Sequence, residues 1–275
     1  EKSPVRMYAY DFDTTGSYHA IPTLCLPTSH TDTTRREYPA QTRDDMTKQL
    51  ISFKAKFQNY KQYATATFDN MMTPQELEGA LVQKANFFSN SFIRNKGNGT
   101  FELAPLPTQA QFACLNGMLA EDFDSDGDLD LLVVGNDYGT EVSVGPYNAC
   151  NGLVLQNDGK GKFSALSILQ SGWYVPGNSK ALVKLKSAGG KSLIMASQNK
   201  GPLKVFEVKT SMLNVPLQRD DVYALVKYKN GKIQKRELPY GASLLSQSGR
   251  HLMLGHNVAA VEVTDVKGAK RQLQL

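Results

Sequence analysis

The pattern of apolar and polar positions predicts short strands over most of the chain. Leu131–Val134 is a compact run of leucine and valine that ends at a glycine, which is typical of a buried strand. Two stretches rich in asparagine and glycine, residues 95–101 (NKGNGTF) and 157–163 (NDGKGKF), lie between apolar runs. Their chemistry predicts the tight turns of β-hairpins. The chain is therefore predicted to be mainly β.

Residues 42–86 carry a different pattern, with the spacing of helices. A capping pattern, Thr42 followed by Asp45, precedes an apolar series at helical intervals. A second start signal begins at Thr73 (TPQELEGAL). This segment is predicted to be a mainly helical insertion whose apolar stripe packs against a neighbouring surface. The side chains expected to be buried are Phe53, Phe57, Leu77 and Leu81.

The stretch AEDFDSDGDLDLLVVG holds five aspartates, which are Asp122, Asp124, Asp126, Asp128 and Asp130. Two carboxylates about 4 Å apart repel by roughly 4 kcal/mol at an effective dielectric constant near 20, so this crowding indicates a bound cation. Gly127 permits a left-handed backbone that lets alternate carboxylates converge. Hard oxygen ligands in a flexible loop favour Ca²⁺ over Mg²⁺. An EF-hand is excluded, because Val133 stands at the position of its closing glutamate and a strand follows.

Two further stretches align with this acidic loop on its glycine, which indicates internal repeats. They are AYDFDTTGSYHAI from residue 9 and LVKLKSAGGKSLIMAS from residue 182. We call residues 11–19, 122–130 and 184–192 the first, second and third loops. The second loop starts 111 residues after the first and 62 residues before the third. The longer interval leaves room for residues 42–86 as an insertion in the first repeat.

These repeats resemble a known family. DFDSDGDLDLLVVGND followed by LVLQNDGKGKF resembles the FG-GAP or VCBS repeat, the blade of calcium-containing β-propellers, as in large secreted proteins of Bacteroidetes type. The resemblance implies a partial propeller of about three blades over residues 1–212, with the helical insertion at about 42–86. Residues 213–275 resemble the ASPIC/UnbV domain, which implies a small β-domain.

The resemblance also implies which of the three loops bind calcium. The second loop is expected to hold one Ca²⁺ through the side chains of Asp122, Asp124, Asp126 and Asp130 and the backbone carbonyl of Asp128, whose carboxylate is expected to point outward.

In the first loop Asp11 and Asp13 match the family, but Thr15 and His19 stand where carboxylates are expected. Calcium binding at full strength is therefore not expected there. The third loop has lysines and an alanine in place of the acids, and we expect it to bind no calcium.

Composition narrows the classes of partner. The chain has 275 residues, of which 41% are hydrophobic, enough for a substantial core. The formal net charge of +5 comes from scattered basic residues, which indicates solvated faces and not a nucleic-acid surface. No run approaches the roughly 18 apolar residues of a membrane span. Extracellular calcium modules bind at about 10⁻⁴ to 10⁻³ M, which favours an extracellular, periplasmic or outer-membrane surface location.

Catalytic patterns are weak. The histidines share no ligand spacing, and Ser243 and Ser246 lack a recognisable base. The adjacent Trp173 and Tyr174 are either core residues or a stacking platform for sugar. We expect a non-catalytic, calcium-stabilised adhesion module that binds a glycan or protein ligand and self-associates through open sheet edges. The alternative is an accessory or catalytic part of a polysaccharide-degrading enzyme.

Overall fold

The structure is a computed structural model that describes residues 3–29, 31, 33–142 and 144–275. The protein is mainly β, and none of the antiparallel sheets formed by the described residues is closed. The chain divides into two compact units between Phe88 and Ser89. Among the described residues, no helix combines the length and the apolar character that crossing a bilayer requires.

The first unit contains one antiparallel sheet and a run of short helices. Its strands are β1 (Val5–Tyr10), β2 (His19–Pro27), β3 (Arg35–Pro39) and β4 (Leu81–Ala85). Its helices are α1 (Arg43–Gln49), α2 (Ser52–Lys56), α3 (Tyr60–Thr65) and α4 (Phe68–Met71). The strand order is β3-β2-β1-β4, so the first loop connects two neighbouring strands, β1 and β2.

The helices form the apolar core of the first unit, together with one residue of β2. Thr42 caps α1, where its side chain accepts a hydrogen bond from the Asp45 N–H at 3.3 Å. Phe53 and Phe57 are buried, as predicted, and Leu77 is partly buried. The members of this core are Ile21, Met46, Leu50, Phe53, Phe57, Tyr63, Phe68, Met71 and Met72.

The later part of residues 42–86 departs from the helical prediction. The capping box forms, since the Glu76 carboxylate accepts from the Thr73 N–H at 2.7 Å and Thr73 Oγ1 accepts from the Glu76 N–H at 3.2 Å. Turns follow, but no helix, because Gly79 takes a left-handed φ of 80° before a second turn can propagate. The predicted burial of Leu81 is also wrong: it lies in β4 and is 57% exposed.

The second unit begins with three sheets. Its first strands are β5 (Ser91–Gly97), β6 (Thr100–Pro105), β7 (Leu115–Glu121), β8 (Asp130–Gly135), β9 (Leu153–Asn157), β10 (Phe163–Ala165), β11 (Ser179–Lys186), β12 (Ser192–Gln198) and β13 (Lys204–Glu207). A 3₁₀ helix spans Thr108–Gln111, and α5 spans Ile168–Ser171. The sheets are the β5-β6 hairpin, β10-β9-β8-β7 and β11-β12-β13. Both predicted hairpin turns are confirmed, at β5–β6 and at β9–β10.

The rest of the second unit is also β. Its strands are β14 (Leu213–Pro216), β15 (Asp221–Tyr228), β16 (Ile233–Glu237), β17 (His251–Leu254), β18 (Val258–Asp265) and β19 (Lys270–Leu273). They form a four-stranded sheet, β16-β15-β18-β19, and a β14-β17 pair. The domain boundary predicted at residue 212 precedes β14 and lies inside this unit; it stays a prediction.

The core of the second unit holds the strands that flank the second loop. Leu132 and Val134 of β8 pack in one cluster with Leu182 of β11 and Ile194 of β12. A Cβ on Gly117 of β7 would lie 2.8 Å from Leu182 Cβ, so glycine permits the close approach of β7 and β11. The predicted buried strand over residues 131–134 is confirmed as part of β8.

Candidate metal centre

The second loop connects β7 to β8 and turns at two residues with positive φ. Ser125 has a φ of 63° and Gly127 a φ of 95°. A Cβ on Gly127 would lie 3.5 Å from the Tyr228 ring, an ordinary contact, so glycine is favoured here for its backbone conformation and not for space. Glu121 and Asp130 pair across the hairpin at the ends of the loop. The strands therefore fix both ends of the loop.

Three of the five aspartates converge. One carboxylate oxygen from each of Asp122, Asp124 and Asp126 lies within 4.8 Å of the others. The backbone N–H of Asp126 donates to Asp124 Oδ1 at 3.2 Å, and the N–H of Asp128 donates to Asp126 Oδ1 at 2.8 Å. Burial is the main cause that raises the pKa of Asp122 and of Asp126, and neighbouring carboxylates raise both further. This excess of negative charge is what a divalent cation would neutralise.

Asp122 carries the most informative oxygen of the group. The residue is 2% exposed. Its Oδ2 accepts from the Gly127 N–H at 3.1 Å and from Asn257 Nδ2 at 3.3 Å. Its Oδ1 is buried and has no hydrogen-bond partner among the described residues. A buried acceptor without a partner costs about 1–3 kcal/mol, and more if it is charged. A cation in contact with Oδ1 would remove this cost, so the residues present fit a bound metal ion.

Asp130 plays a different part from the three converging aspartates. Its Oδ2 accepts from the Phe123 N–H at 3.2 Å and its Oδ1 from the Asn157 N–H at 2.9 Å. Burial raises its pKa to about 6, with contributions from the charges of Asp124 and Asp126. Because Asp130 is not among the converging carboxylates, the structure brings together three of the four predicted side-chain ligands. Calcium ligation by Asp130 stays a prediction.

Two residues that the sequence analysis did not single out contact this loop. Lys232 pairs with the Asp128 carboxylate and donates to the Gly127 carbonyl oxygen at 2.8 Å. Asn257 Nδ2 donates to the Ser125 carbonyl oxygen at 2.6 Å, in addition to its contact with Asp122. Both residues follow the loop by more than 100 positions, so no local pattern marks them.

An ionic cluster lies next to the second loop. It consists of Glu121, Lys184, Arg236 and His251. Glu121 is 5% exposed, contacts Lys184 Nζ through Oε1, and lies 3.4 Å from Arg236 Nη1 through Oε2. Nε2 of the buried His251 has no hydrogen-bond partner among the described residues. Burial is the main cause that lowers the pKa of His251 to about 4, and the nearby Lys184 charge lowers it further.

The first loop repeats the backbone of the second. Thr14 has a φ of 59° and Gly16 a φ of 85°, at the positions that align with Ser125 and Gly127. The Gly16 N–H donates to Asp11 Oδ2 at 2.8 Å, which reproduces the hydrogen bond between the aligned residues of the second loop. The alignment of the two loops at an interval of 111 residues is therefore matched by their local geometry.

The side chains of the first loop form a second group that could hold a metal ion. One oxygen from each of Asp11 and Asp13 and one ring nitrogen of His19 lie within 4.8 Å of one another. His19 pairs with Tyr10 across the hairpin, as Asp130 pairs with Glu121 in the second loop. The structure thus places the imidazole where the second loop has a carboxylate.

The third loop has a different geometry. A short turn joins β11 to β12, and the Ser187 N–H donates to the Lys191 carbonyl oxygen at 2.9 Å. Positive φ occurs in this turn at Gly190 alone. Among the described residues, the third loop contributes to neither group that could hold a metal ion.

The two aromatic residues singled out from the sequence have different environments. Trp173 is 4% exposed, donates from Nε1 to the Val133 carbonyl oxygen at 3.3 Å, and its ring centroid lies 4.4 Å from that of Phe206. Tyr174 is 47% exposed. Of the two alternatives, core packing describes Trp173, whereas the Tyr174 ring faces solvent.

A cleft of about 800 Å³ lies between the β7–β10 sheet and the β11–β13 sheet. Its walls are mainly apolar. The second loop contributes Asp124 and Asp130 to its lining, and the facing sheet contributes Glu207 and, just beyond β13, Lys209. Trp173 lines this cleft and Tyr174 does not.

A comparison of the chain with protein-family models gave no match, and a comparison with curated proteins gave none. The resemblance to FG-GAP or VCBS repeats and to the ASPIC/UnbV domain therefore rests on the sequence motifs alone.

Proposed function

We propose that the chain is a non-catalytic, calcium-stabilised binding module that acts outside the cytoplasm, in the periplasm or at an outer-membrane or extracellular surface. The observation that carries the calcium part is Asp122 Oδ1, which is buried and has no hydrogen-bond partner among the described residues, on a carboxylate that converges with two others. Oxygen-only ligands of high charge in a loop are the chemistry of calcium sites.

In this proposal Asp122, Asp124 and Asp126 hold the ion, together with Asp130 and the backbone carbonyl of Asp128, as the resemblance implies. The ion would supply positive charge that cancels the repulsion among the carboxylates. Because Asn257 and Lys232 contact the same loop, calcium would also strengthen the contact with the β15–β18 region. Its binding free energy would then contribute to the stability of the second unit.

The proposal includes a partial propeller. Three hairpins, β1–β2, β7–β8 and β11–β12, each carry one of the aligned loops. The matched backbone of the first two loops supports a common repeat of FG-GAP or VCBS type. The short helices between β3 and β4 would be an insertion in the first repeat, and residues 213–275 would be the ASPIC/UnbV-like domain.

The ligand in this proposal is a glycan or a protein, bound at the cleft. Mainly apolar walls with a few polar groups are typical of binding sites. In the part of the chain that the structure describes, no strand neighbours the outer edge of β13 in the β11-β12-β13 sheet, which supports self-association as a further part of the proposal.

The calcium part is tested by thermal unfolding of the full chain, followed through Trp173, its single tryptophan. Calcium at 10 to 100 times a dissociation constant of about 10⁻⁴ to 10⁻³ M would stabilise the second unit by about 1.4–2.7 kcal/mol. Asp124→Ala should abolish the calcium-dependent rise in melting temperature. Asp13→Ala, the aligned change in the first loop, should leave it intact. If calcium at about 10 mM does not raise the melting temperature of the wild type, the proposal is wrong.

One observation favours the alternative of a polysaccharide-degrading enzyme. The lining of the cleft includes one carboxyl group from each of two sheets, Asp130, whose pKa is raised by burial, and Glu207. Two carboxyl groups that flank the scissile bond are the groups that glycoside hydrolysis uses. Release of reducing sugar from a panel of polysaccharides, lost in both Asp130→Asn and Glu207→Gln, would support this alternative. The binding module would be supported if the wild type binds glycans on an array without hydrolysing them. Val205→Arg, in the cleft, should then abolish this binding, and Tyr174→Ala should retain it.

A further inference from the structure

The first loop offers a mixed set of donors that differs from a calcium site. Its converging group consists of two carboxylates, Asp11 and Asp13, and one imidazole, His19. Calcium takes oxygen ligands, six to eight of them, and an imidazole nitrogen is a poor substitute. Nitrogen and oxygen together suit Zn²⁺ and other divalent first-row transition ions.

His19 is the observation that points to an ion. The residue is 8% exposed, and its Nδ1 is buried without a hydrogen-bond partner among the described residues. Its Nε2 lies 3.7 Å from Asp13 Oδ2, which is too long for a hydrogen bond. The buried ring thus presents Nε2 to a carboxylate across a gap that is too long for a direct hydrogen bond and that has room for an ion bound to both atoms.

The separation of these two atoms suits a shared metal ion. Zn²⁺ binds histidine nitrogen and carboxylate oxygen at about 2.0–2.2 Å, so two ligands at a tetrahedral angle lie about 3.3 Å apart. The observed 3.7 Å requires a shift of only a few tenths of an ångström.

The surroundings hold the carboxylates in orientation. Asp11 accepts from the Thr15 N–H at 3.0 Å and from the Gly16 N–H at 2.8 Å, and Asp13 Oδ1 accepts from Thr15 Oγ1 at 2.7 Å. Asp13 Oδ2 is left facing His19. Hydrogen bonds of this kind to ligating carboxylates are the usual support of a metal site.

We propose that Asp11, Asp13 and His19 bind a divalent transition ion of the Zn²⁺ class. The ion links the end of β1 to the start of β2, on either side of the first loop. Residues 14–18 of the loop are exposed, so water completes the coordination. This site is independent of the calcium proposal, because it lies in the other unit and uses no residue of the second loop.

The test is calorimetric titration of the full chain, freed of metal by a chelator, with Zn²⁺ in the presence of excess Ca²⁺. One equivalent of Zn²⁺ should bind, and His19→Ala and Asp13→Asn should each weaken it at least about tenfold. His256→Ala removes an exposed histidine and Asp124→Ala disables the second loop; both should bind as the wild type does.

Co²⁺ in place of Zn²⁺ gives an independent readout on the wild type. Visible absorption bands should appear when one equivalent of Co²⁺ is added to the wild type and should be absent in Asp13→Asn. Asp13→Asn changes the shape of the side chain very little, so it keeps the test valid even if His19→Ala does not fold. Absence of saturable Zn²⁺ binding to the wild type, or binding unchanged by both first-loop variants, would overturn the proposal. Binding lost equally in His256→Ala or Asp124→Ala would overturn it as well.

Discussion

The first and second loops have nearly the same backbone and different side chains. Thr14 and Gly16 in the first loop, and Ser125 and Gly127 in the second, take the same left-handed conformations. The donors differ, since the second loop brings together three carboxylates and the first brings together two carboxylates and an imidazole. The same turn of the backbone therefore presents different donor groups in the two loops, because the donors depend on individual side chains.

The surroundings of the two loops differ as well. In the second loop, Tyr228 lies near Gly127, and Lys232 and Asn257 donate hydrogen bonds to the loop. Residues 14–18 of the first loop are exposed. Within the described residues, the ionic cluster beside the second loop has no equivalent at the first, where Tyr10 stands at the position of Glu121. Changes near the second loop should therefore affect stability more than aligned changes near the first.

The largest effect is expected from Glu121→Gln. Loss of one partner from a buried ion pair costs about 3–5 kcal/mol, because the buried Arg236 and the partly buried Lys184 would both lose the carboxylate that pairs with them. Tyr10→Phe, at the aligned position, should cost no more than about 1 kcal/mol. Urea unfolding followed by Trp173 fluorescence for the second unit, and by near-ultraviolet circular dichroism for the first, measures both changes. Equally small losses of unfolding free energy in Glu121→Gln and Tyr10→Phe would contradict the expected difference between the two loops.

A second effect is expected in acid and comes from His251. Its folded-state pKa of about 4 lies below the ordinary 6.5, so the unfolded chain binds this proton more readily. The stability that neutral His251 contributes is therefore present above pH 6.5 and is lost as the pH falls through 4. The gap between the two values corresponds to about 3 kcal/mol.

The measured quantity for His251 is a difference between proteins. The pKa of Asp130 is raised, so its contribution to stability has the opposite pH dependence to that of His251. This contribution is largest below pH 4 and smallest above pH 6. Unfolding free energies of the wild type and of His251→Gln should therefore be compared from pH 7 to pH 4. The wild type should lose about 3 kcal/mol more than the variant, while the exposed His256→Gln should follow the wild type. Parallel profiles for all three proteins would contradict the expectation.

The smallest effect concerns the shared backbone. Gly16→Ala and Gly127→Ala each place a Cβ at a left-handed φ, which costs roughly 1–2 kcal/mol. Neither Cβ meets an atom closer than 3.5 Å, so the two costs should agree within about 0.5 kcal/mol. Chemical denaturation of each unit measures them. A cost at Gly127 that clearly exceeds the cost at Gly16 would show that the residues around the second loop, and not the backbone alone, require glycine.

Local sequence signals predicted local structure well where few residues decide it. The buried strand at residues 131–134, the two Asn/Gly hairpin turns and the Thr42 cap all formed. The signal at Thr73 failed in part: the capping box formed, but the left-handed φ of Gly79 ends the segment before a second helical turn. The predicted burial of Leu81 was wrong because this residue lies in β4, which pairs with β1 and is therefore a strand and not part of a helix.

The sequence by itself determined the backbone of the loops, because aspartate, asparagine and glycine act through hydrogen bonds and φ preferences over a few residues. It also determined which loops are rich in carboxylates. Only the tertiary structure decided that Asp122 is buried, with one oxygen that has no hydrogen-bond partner in the described part of the chain. It also decided that Lys232 and Asn257 reach the second loop, and that His19 turns toward Asp13. Burial and contacts across more than 100 residues depend on how sheets pack, and packing is a property of the whole unit that no short pattern encodes.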